Sequence, residues 1–426
     1  MKELLFITNP WWRNKEFDSG IPRKKYLPEL ITSLKHKRAV LITGSRRVGK
    51  TTLLKQLIQH LITESKIKPG NILYVLLDHP RLAKISILEI VDEFRKIHLL
   101  DRDEKIFLFF DEVQYLKDWE QEVKSLLDLE NVKIFLSGSA STELFQKTPF
   151  LTGRYEKMKI DPLNFEEFLQ FKGAHISPTE EYKYEKYLEE YIKIGGYPEY
   201  ILQEDSSYFT DLLEAIIFKD IVYIHGIKNP DIIRDLLLLL ADRNGHQTSF
   251  TKLGKILGIT VDTTKEYVNF LKQTFIVEEI ERFSTSRSKK IYSAKKFYLH
   301  DTGLLNNLSS KFNLGSAAEN ILYKFLSISF KVNFYYENQH EIDFVFLNDN
   351  KKSVLVESKF IDKFDELSNG VLSSIENSAI DLKINRVFVI TRSLEKEHIY
   401  NDITVVFIPL SKLLLSNPKE FFNEFF

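Results

Sequence analysis

The stretch Gly44-Ser45-Arg46-Arg47-Val48-Gly49-Lys50-Thr51 has the spacing G-x-x-x-x-G-K-T, and the fold predicted for the chain follows from it. Residues 39–43 (AVLIT), just before it, form a short apolar run typical of a buried strand. Residues 51–65, just after it, have the apolar spacing of a helix. A strand, a glycine loop and a helix in this order are typical of a loop that binds nucleotide phosphates. A chance glycine loop is the alternative, but it leaves the flanking elements unexplained.

The chemistry of such a loop depends on its glycines and on the two residues that end it. Gly44 and Gly49 can adopt backbone angles that side chains disfavour. The loop amides can therefore turn inward around an anion above a helix N-terminus. We expect Lys50 to reach the β- and γ-phosphates of ATP and the Thr51 hydroxyl to bind Mg²⁺.

An acidic strand supplies the second half of the predicted ATPase site. Residues 106–110 (IFLFF) form a wholly apolar run that ends in Asp111 and Glu112. We expect Asp111 to hold the Mg²⁺ shell and Glu112 to act as the general base on the attacking water. A helix N-cap is the alternative for an Asp here, because residues 116–129 have a helical pattern. The nucleotide-binding residues predicted from the sequence are Gly44, Ser45, Arg46, Arg47, Val48, Gly49, Lys50, Thr51, Thr52 and Asp111.

Two further residues are candidates for catalysis. Ser137 follows the predicted strand 132–136, and a hydroxyl at the end of a strand next to the loop can sense the γ-phosphate or orient the water. Arg154 precedes another strand pattern, 155–160, and can neutralise charge on the transferring phosphoryl group in its own subunit or, in a homo-oligomer, in a neighbour's. An ordinary turn at Ser137 and a surface salt bridge at Arg154 are the alternatives.

The strand patterns alternate with helical patterns along the first part of the chain. Strands are predicted to begin at 39, 72, 106, 132 and 155, which indicates an α/β fold with a parallel sheet covered by helices on both faces. A strand and a helix separate the phosphate loop from the acidic strand in sequence. This arrangement favours the class of P-loop ATPases that has an extra strand and a glutamate base.

The chain changes character after residue 226. Helices are predicted over 231–242, 249–257 and 261–274, and strands over 275–283 and 290–299, which together indicate a winged helix. Winged helices can lay their third helix in a DNA groove. Six basic residues in the predicted strands and loop are candidates for DNA phosphate contacts: Arg282, Arg287, Lys289, Lys290, Lys295 and Lys296. A winged helix used only for protein contacts is the alternative.

Carboxylates and a lysine are predicted to converge in the last part of the chain. Glu357 and Lys359 lie two residues apart on a strand and so share one face, and hairpin pairing brings Asp343 beside them. Such convergence is costly unless a cation joins the groups. A divalent metal, Mg²⁺ or Mn²⁺, held by Asp343, Glu357 and the helical Glu319 could generate hydroxide, with Lys359 positioning it or stabilising the transition state. The alternative is a solvated strand face with alternating charges.

Composition limits the classes of function. The 426 residues carry a formal net charge of −1, so any nucleic-acid site must be a local patch. The absence of cysteine excludes disulfides, zinc thiolate sites and thiol catalysis, and it fits a cytoplasmic protein. We find neither a signal-peptide pattern nor an apolar run long enough to span a membrane, and we expect no membrane partner.

The predicted organisation comprises a leader (1–36), a P-loop ATPase core (37–160), a helical lid or connector (161–226), a winged helix (227–310) and an α/β nuclease-like domain (311–426). These features together resemble the archaeal and bacterial AAA-like P-loop ATPases that carry a winged helix and a PD-(D/E)xK restriction-endonuclease-like domain. The motifs that carry the resemblance are GSRRVGKT (44–51), FFDEVQ (109–114), LSGSAS (136–141), LTGR (151–154), PLNFEEF (162–168), GGYPE (195–199), YLHDTGL (298–304) and the EID…ESK pair (341–343 and 357–359).

This resemblance implies ATP binding and hydrolysis by Lys50, Thr51, Asp111 and Glu112. It also implies a nuclease metal site at Glu319, Asp343, Glu357 and Lys359, with Ile342 in place of the proline of the nuclease signature. Two hypotheses follow. The first is a DNA-acting enzyme whose metal-dependent cleavage is coupled to ATP, and the second is a regulatory switch whose C-terminal domains only bind DNA or protein.

Overall fold

A computed structural model of the chain describes residues 1–82, 84–139, 151 and 153–425. It divides into two compact units. The first unit comprises residues 1–161 with 273–275, and the second comprises residues 162–272 with 276–426. In the described ranges no helix is long and apolar enough to cross a membrane.

The first unit is built on a parallel sheet whose strands start at the five predicted positions. They are β1 (Ala39–Thr43), β2 (Ile72–Leu76), β3 (Ile106–Asp111), β4 (Val132–Gly138) and β5 (Tyr155–Lys159). Their order is β2-β3-β4-β1-β5, and all four pairings are parallel. Because β4 lies between β1 and β3, the phosphate loop and the acidic residues follow strands that are one strand apart, as predicted for a P-loop ATPase with an extra strand.

Helices cover this sheet and set the ends of its loops. They are α1 (Lys2–Thr8), α2 (Leu27–Ser33), α3 (Lys50–Thr63), α4 (Ile87–His98) and α5 (Trp119–Leu129). A capping box of Ser86 and Glu89 starts α4 because each side chain accepts an amide hydrogen of the other residue. The N-cap of α5 is Asp118, so Asp111 does not serve as the helix cap that was its alternative interpretation.

The predicted leader is part of the first unit and packs against its edge strand β2. The Asn9 amide side chain donates to the Tyr74 carbonyl oxygen at 2.9 Å and accepts from the Tyr74 amide at 2.7 Å. The indoles of Trp11 and Trp12 both donate to the Ile72 carbonyl oxygen, at 3.2 and 2.8 Å. These contacts satisfy backbone groups of the edge strand β2, which water would otherwise solvate.

The second unit begins with helices and a short hairpin. The helices are α6 (Phe165–Phe171), α7 (Lys183–Ile194), α8 (Pro198–Gln203), α9 (Tyr208–Glu214), which continues through a π-helical segment (Ala215–Val222) to Tyr223–His225, α10 (Pro230–Asp242), α11 (Phe250–Leu257) and α12 (Val261–Gln273). The hairpin comprises β6 (Val277–Ile280) and β7 (Lys296–Leu299), with helix α13 (Arg287–Tyr292) between its strands. The three predicted helices are present, but the two predicted strands are wrong in length, because α13 replaces the polar loop.

A mixed sheet completes the second unit. Its strands are β8 (Asn333–Glu337), β9 (His340–Leu347), β10 (Ser353–Ser358), β11 (Arg386–Thr391), β12 (Lys396–Tyr400) and β13 (Ile403–Pro409), in the order β12-β13-β11-β10-β9-β8. The helices of this region are α14 (Thr302–Leu308), α15 (Leu314–Ser327), α16 (Asn369–Leu382), α17 (Leu410–Leu414) and α18 (Pro418–Asn423). The central β10 pairs antiparallel with β9 and parallel with β11.

Two sequence motifs meet at Asp301 in the second unit. The Asp301 carboxylate accepts hydrogen bonds from the amide of Gly196 at 2.6 Å and, as the N-cap of α14, from the amide of Leu304 at 3.1 Å. Burial raises the pKa of Asp301 to about 6, although these hydrogen bonds act to lower it. Asp301 of the YLHDTGL motif therefore binds the GGYPE motif through Gly196, and we call this contact the Asp301 joint.

Candidate functional site

The glycine loop connects β1 to α3 as predicted. A Cβ atom at Gly44 would lie 2.3 Å from the Ile160 carbonyl oxygen, so this position has room only for glycine. Gly49 is the N-cap of α3 and has a φ of 98°, which side chains disfavour. The Lys50 ammonium donates to the carbonyl oxygens of Gly44 and Ser45 at 3.0 and 2.9 Å. The loop thus curls around its own lysine at a helix N-terminus, the arrangement that suits an anion.

Arg23 supports this loop from below, and sequence reasoning missed that role. Its buried guanidinium donates to the Val48 carbonyl oxygen at 2.9 Å and to the Asp161 carbonyl oxygen at 3.1 Å. Its own amide donates to the Gln56 side chain at 3.0 Å. The basic run at residues 23–25 was visible in the sequence, but no local pattern connects it to a loop 25 residues later.

Asp111 lies at the end of β3 in a nest of hydroxyl groups. Thr51 Oγ1 and the Tyr74 phenol donate to Asp111 Oδ2 at 2.6 and 2.8 Å, and Ser137 Oγ donates to Oδ1. Burial, followed by the charge of Glu112, raises the pKa of Asp111 despite these hydrogen bonds. A hydroxyl and a carboxylate oxygen in contact at the start of α3 are oxygen donors of the type that Mg²⁺ takes, so the residues fit this ion.

Glu112 is held beside Asp111 by side chains that sequence reasoning did not single out. It adopts left-handed backbone angles, with a φ of 59°. Its Oε2 accepts from Gln114 Nε2 and from Ser139 Oγ, the latter at 3.2 Å. Its amide donates to Ser137 Oγ at 3.2 Å. The carboxylate is therefore oriented at the carboxyl end of the sheet, where the phosphate loop also lies.

The structure brings Ser137 to the site but not Arg154. Ser137 lies on β4, opposite Ile42 of the neighbouring β1, and contacts Asp111 and Glu112. Arg154 precedes β5 at the opposite end of the sheet, where its Nε lies 3.0 Å from Asp128 Oδ1. Because β5 runs parallel to β1, Arg154 is separated from the loop by the length of a strand, roughly 15 Å. The surface salt bridge is thus the interpretation that the structure supports within one subunit.

Parts of two motifs lie outside the described residues. These are Ala140 and Ser141 of LSGSAS and Thr152 of LTGR.

A second cluster of ionisable groups lies in the second unit, where the nuclease site was predicted. The Asp343 amide donates to Glu357 Oε2 at 2.9 Å, and the Ser358 amide donates to Asp343 Oδ2 at 3.1 Å, as expected for neighbouring strands β9 and β10. The Lys359 ammonium lies 2.6 Å from Glu357 and 3.9 Å from Asp343. Helix α15 brings Glu319 to the same place. The structure therefore brings Asp343, Glu357 and Lys359 together, with Glu319 beside them.

The cluster also contains Lys296, which had been predicted to bind DNA. Its ammonium lies 2.7 Å from Glu341, 3.0 Å from Asp343 and 3.5 Å from Glu319. Burial alone would lower the pKa of Lys296, but the three carboxylates raise it well above its usual value. Sequence reasoning missed Glu341 as a member of the cluster, although its spacing of two from Asp343 puts both on one face of β9.

The pKa values of the cluster's carboxyl groups shift in different directions, because burial raises all of them and the nearby ammonium groups lower them. Burial raises the pKa of Glu319 to about 8 and that of Glu357 to about 7, and the charge of Asp343 adds to both shifts. Burial also favours the neutral form of Asp343, but Lys296 and Lys359 outweigh it and lower the pKa of that carboxyl. Asp343 thus lies within 4 Å of both ammonium groups, at 3.0 Å from Lys296 and 3.9 Å from Lys359.

Half of the basic patch predicted for DNA is occupied with contacts inside the second unit, which corrects three of its six members. Arg282 pairs with Glu337, and the buried Lys295 lies 3.2 Å from Glu281. Lys296 is buried in the carboxylate cluster. The physical reason is that the hairpin packs on the mixed sheet.

A β-bridge and a hydrogen bond carry this packing. Arg282 forms a parallel bridge with Phe334, whose carbonyl oxygen accepts from the Phe283 amide at 2.7 Å. Arg287 and Lys289 remain exposed and Lys290 is half-buried, all on helix α13.

Comparisons with known proteins agree with the first site. Residues 36–169 match the AAA domain family, and residues 185–315 match a domain of unknown function, DUF8612. The uncharacterized protein MJ1544 of Methanocaldococcus jannaschii is similar over 367 residues at 30% identity, covering 82% of this chain and 80% of that protein. The uncharacterized protein MJ1637 of the same organism is 27% identical over 94% of this chain and 89% of its own length. An uncharacterized protein of Haemophilus influenzae is 26% identical over 76% of this chain and 83% of its own length.

Proposed function

This chain belongs to the same family as the uncharacterized protein MJ1544 of Methanocaldococcus jannaschii, and it carries an AAA domain. From this we propose that it binds ATP with Mg²⁺ and hydrolyses the ATP at the loop 44–51. The observation that supports this most is the contact of Thr51 with Asp111, at 2.6 Å, beside the glycine loop at the N-terminus of α3. In this proposal the phosphate-binding loop and the acidic pair lie together at the carboxyl ends of the parallel strands.

Each residue of the site has a role in this proposal. Lys50, which donates to loop carbonyl oxygens in the structure, donates instead to the β- and γ-phosphates when the triphosphate enters. Thr51 and Asp111 hold Mg²⁺, which when bound neutralises charge on the phosphate oxygens. Glu112, oriented by Gln114 and Ser139, takes the proton of the attacking water. Ser137 contacts both carboxylate residues and so can sense their rearrangement.

Replacing Lys50 with alanine tests the binding half of this proposal. We expect the Kd for ATP to rise about 30- to 100-fold, because one charge-assisted interaction with phosphate contributes roughly 2–3 kcal/mol. Calorimetric titration of ATP with Mg²⁺ measures this directly. Lys55→Ala on the same helix, a half-buried lysine about one turn further on, is the matched control and should bind ATP as the wild type does. Equal affinity in all three proteins would refute a nucleotide site at this loop.

For the second unit, the observations favour the non-cleaving switch over the DNA-cleaving enzyme. Lys296 occupies the centre of the carboxylate cluster, where cleavage would need a metal. In this proposal, ATP binding and hydrolysis in the first unit change the affinity of the second unit for a partner. The basic residues of α13 make DNA the candidate partner, since the exposed Arg287 and Lys289 and the half-buried Lys290 lie within one helical turn of each other.

The double substitution Arg287→Glu/Lys290→Glu tests DNA as the partner. We expect DNA affinity to fall at least tenfold and the slope of log K against log salt to become shallower by about 2, because two phosphate contacts are lost. Fluorescence anisotropy with a labelled duplex at several salt concentrations measures both quantities. Lys331→Glu/Lys363→Glu changes the net charge equally at two other exposed positions of the second unit and serves as control. If both double variants bind alike, or if the wild type binds no DNA, a protein partner is the better hypothesis.

A further inference from the structure

The carboxylate cluster of the second unit already contains a cation that belongs to the chain. The Lys296 ammonium lies within 3.5 Å of oxygens from Glu319, Glu341 and Asp343. These carboxylates come from helix α15 and strand β9, and the lysine comes from the hairpin strand β7. The ammonium therefore contacts two of the three carboxylates, Glu319 and Asp343, to which the resemblance to metal-dependent nucleases assigns the divalent ion.

We propose that Lys296 is the resident cation of this cluster, so that the cluster takes up no divalent metal and joins the hairpin to the mixed sheet without cleaving DNA. This goes beyond the ATPase proposal and does not depend on it.

A divalent ion does not fit beside this ammonium. Mg²⁺ bonds its oxygen ligands at about 2.1 Å and Ca²⁺ at about 2.3–2.6 Å. An ion bound by both Asp343 Oδ1 and Glu341 Oε1 would occupy nearly the position of the Lys296 nitrogen, which lies 3.0 and 2.7 Å from these oxygens. Two like charges in contact inside a poorly solvated cluster repel strongly.

Several oxygens of these carboxylates also accept hydrogen bonds from other groups. Glu341 Oε2 accepts from the Gln247 side chain at 2.8 Å, and Glu319 Oε1 accepts from the Tyr298 phenol at 2.6 Å. Glu357 accepts from the Lys359 ammonium at 2.6 Å through Oε1 and from a backbone amide through Oε2. A metal would have to replace these donors as well as the ammonium.

Lys296 cannot leave the cluster by a change of rotamer. Its side chain is only 2% exposed, and its strand position pairs with Ile280 in the hairpin. The neighbouring Phe297 and Tyr298 are completely buried. Moving the ammonium out of the cluster would require displacing the buried strand β7. We therefore infer that Lys296 stays in the cluster as long as the second unit is folded.

Titration with Mn²⁺ in the absence of nucleotide tests this inference. Electron paramagnetic resonance reports free Mn²⁺, and Asp343→Asn subtracts binding at any other place in the chain. We expect wild type and Asp343→Asn to bind Mn²⁺ identically. Lys296→Ala removes the ammonium and leaves space, and we expect it to gain one Mn²⁺ per chain that Lys296→Ala/Asp343→Asn loses again.

Stability provides a second measurement in case Lys296→Ala folds poorly. Removing the ammonium leaves buried carboxylates uncompensated, so we expect a lower melting temperature that Mn²⁺ restores in Lys296→Ala but not in the double variant. Lys296→Met, which fills the space without charge, should be destabilised and should not respond to Mn²⁺. Asp343-dependent Mn²⁺ binding by the wild type, or Mn²⁺-dependent cleavage of supercoiled plasmid that Asp343→Asn abolishes, would overturn the inference. So would a Lys296→Ala protein that is folded and binds no additional Mn²⁺.

Discussion

Glu112→Gln is expected to slow ATP hydrolysis by about a thousandfold while the Kd for ATP changes little. A positioned general base contributes roughly 10²–10⁴ to the rate, and glutamine keeps the shape of the side chain without its basicity. The structure adds a reason for small effects on binding. The Glu112 carboxylate accepts from Gln114 and Ser139, whereas the phosphate cradle that we propose consists of the loop, Lys50 and Thr51.

Single-turnover hydrolysis and equilibrium binding, measured on the same protein, separate the two effects. The Lys50→Ala variant should show the opposite pattern, with its loss appearing first in binding. Ser137→Ala is unsuitable as a neutral control, because Ser137 contacts both Asp111 and Glu112. Hydrolysis by Glu112→Gln within about threefold of the wild-type rate would exclude Glu112 as the base. A parallel loss of binding and hydrolysis would mean that Glu112 shapes the cradle.

Gly303→Ala is expected to destabilise the second unit by at least ~3 kcal/mol, a drop in melting temperature of about 10 °C. A Cβ atom at this position would lie 2.1 Å from the Ile194 carbonyl oxygen and 2.9 Å from the ring of Phe209. The nearest atoms belong to the backbone at the end of helix α7, so they cannot turn aside as a flexible side chain would. The cost is therefore a displacement of α14 from α7, which also disturbs the Asp301 joint.

Gly315→Ala is the matched control for this prediction. Gly315 lies in helix α15, and a Cβ atom there would meet nothing closer than Asn313 Oδ1 at 3.4 Å. Replacing glycine by alanine inside a helix should stabilise it by up to ~1 kcal/mol. Thermal denaturation of the full chain, followed by circular dichroism, compares the two. Equal melting temperatures for Gly303→Ala and Gly315→Ala would show that α14 and α7 are not tightly packed.

Much of the first unit was predictable because its signals are local. The strands predicted at 39, 72, 106 and 132 are almost wholly buried members of the parallel sheet, and the strand predicted at 155 is a partly exposed edge strand. A strand that is buried on both faces appears in the sequence as a run of mostly apolar residues. The glycine loop is recognised from the strand before it and the helix after it, which are both close in sequence. The convergence of Asp343 and Glu357 was predictable for the same reason, since a hairpin fixes which residues lie side by side.

Other features depended on which distant elements become neighbours. Arg154 precedes a strand in a motif that suggested phosphate contact, yet the parallel direction of β5 puts it at the far end of the sheet. Arg23 supports the phosphate loop only because the leader folds back on α3. Tyr74 reaches Asp111 because β2 pairs with β3. In each case the sequence shows the residue but does not reveal which distant residue it contacts.

The sequence by itself determined where phosphate-binding and acidic residues stand along this chain, because glycine spacing and apolar periodicity are properties of short segments. Only the tertiary structure decided what the basic residues of the hairpin do. Lys289 and Lys296 are alike in sequence, but Lys289 is exposed on a short helix and Lys296 is buried among three carboxylates. The physical reason is that an ammonium group is stable in either setting, in water or paired with buried carboxylates, and the packing of the hairpin on the mixed sheet selects between them.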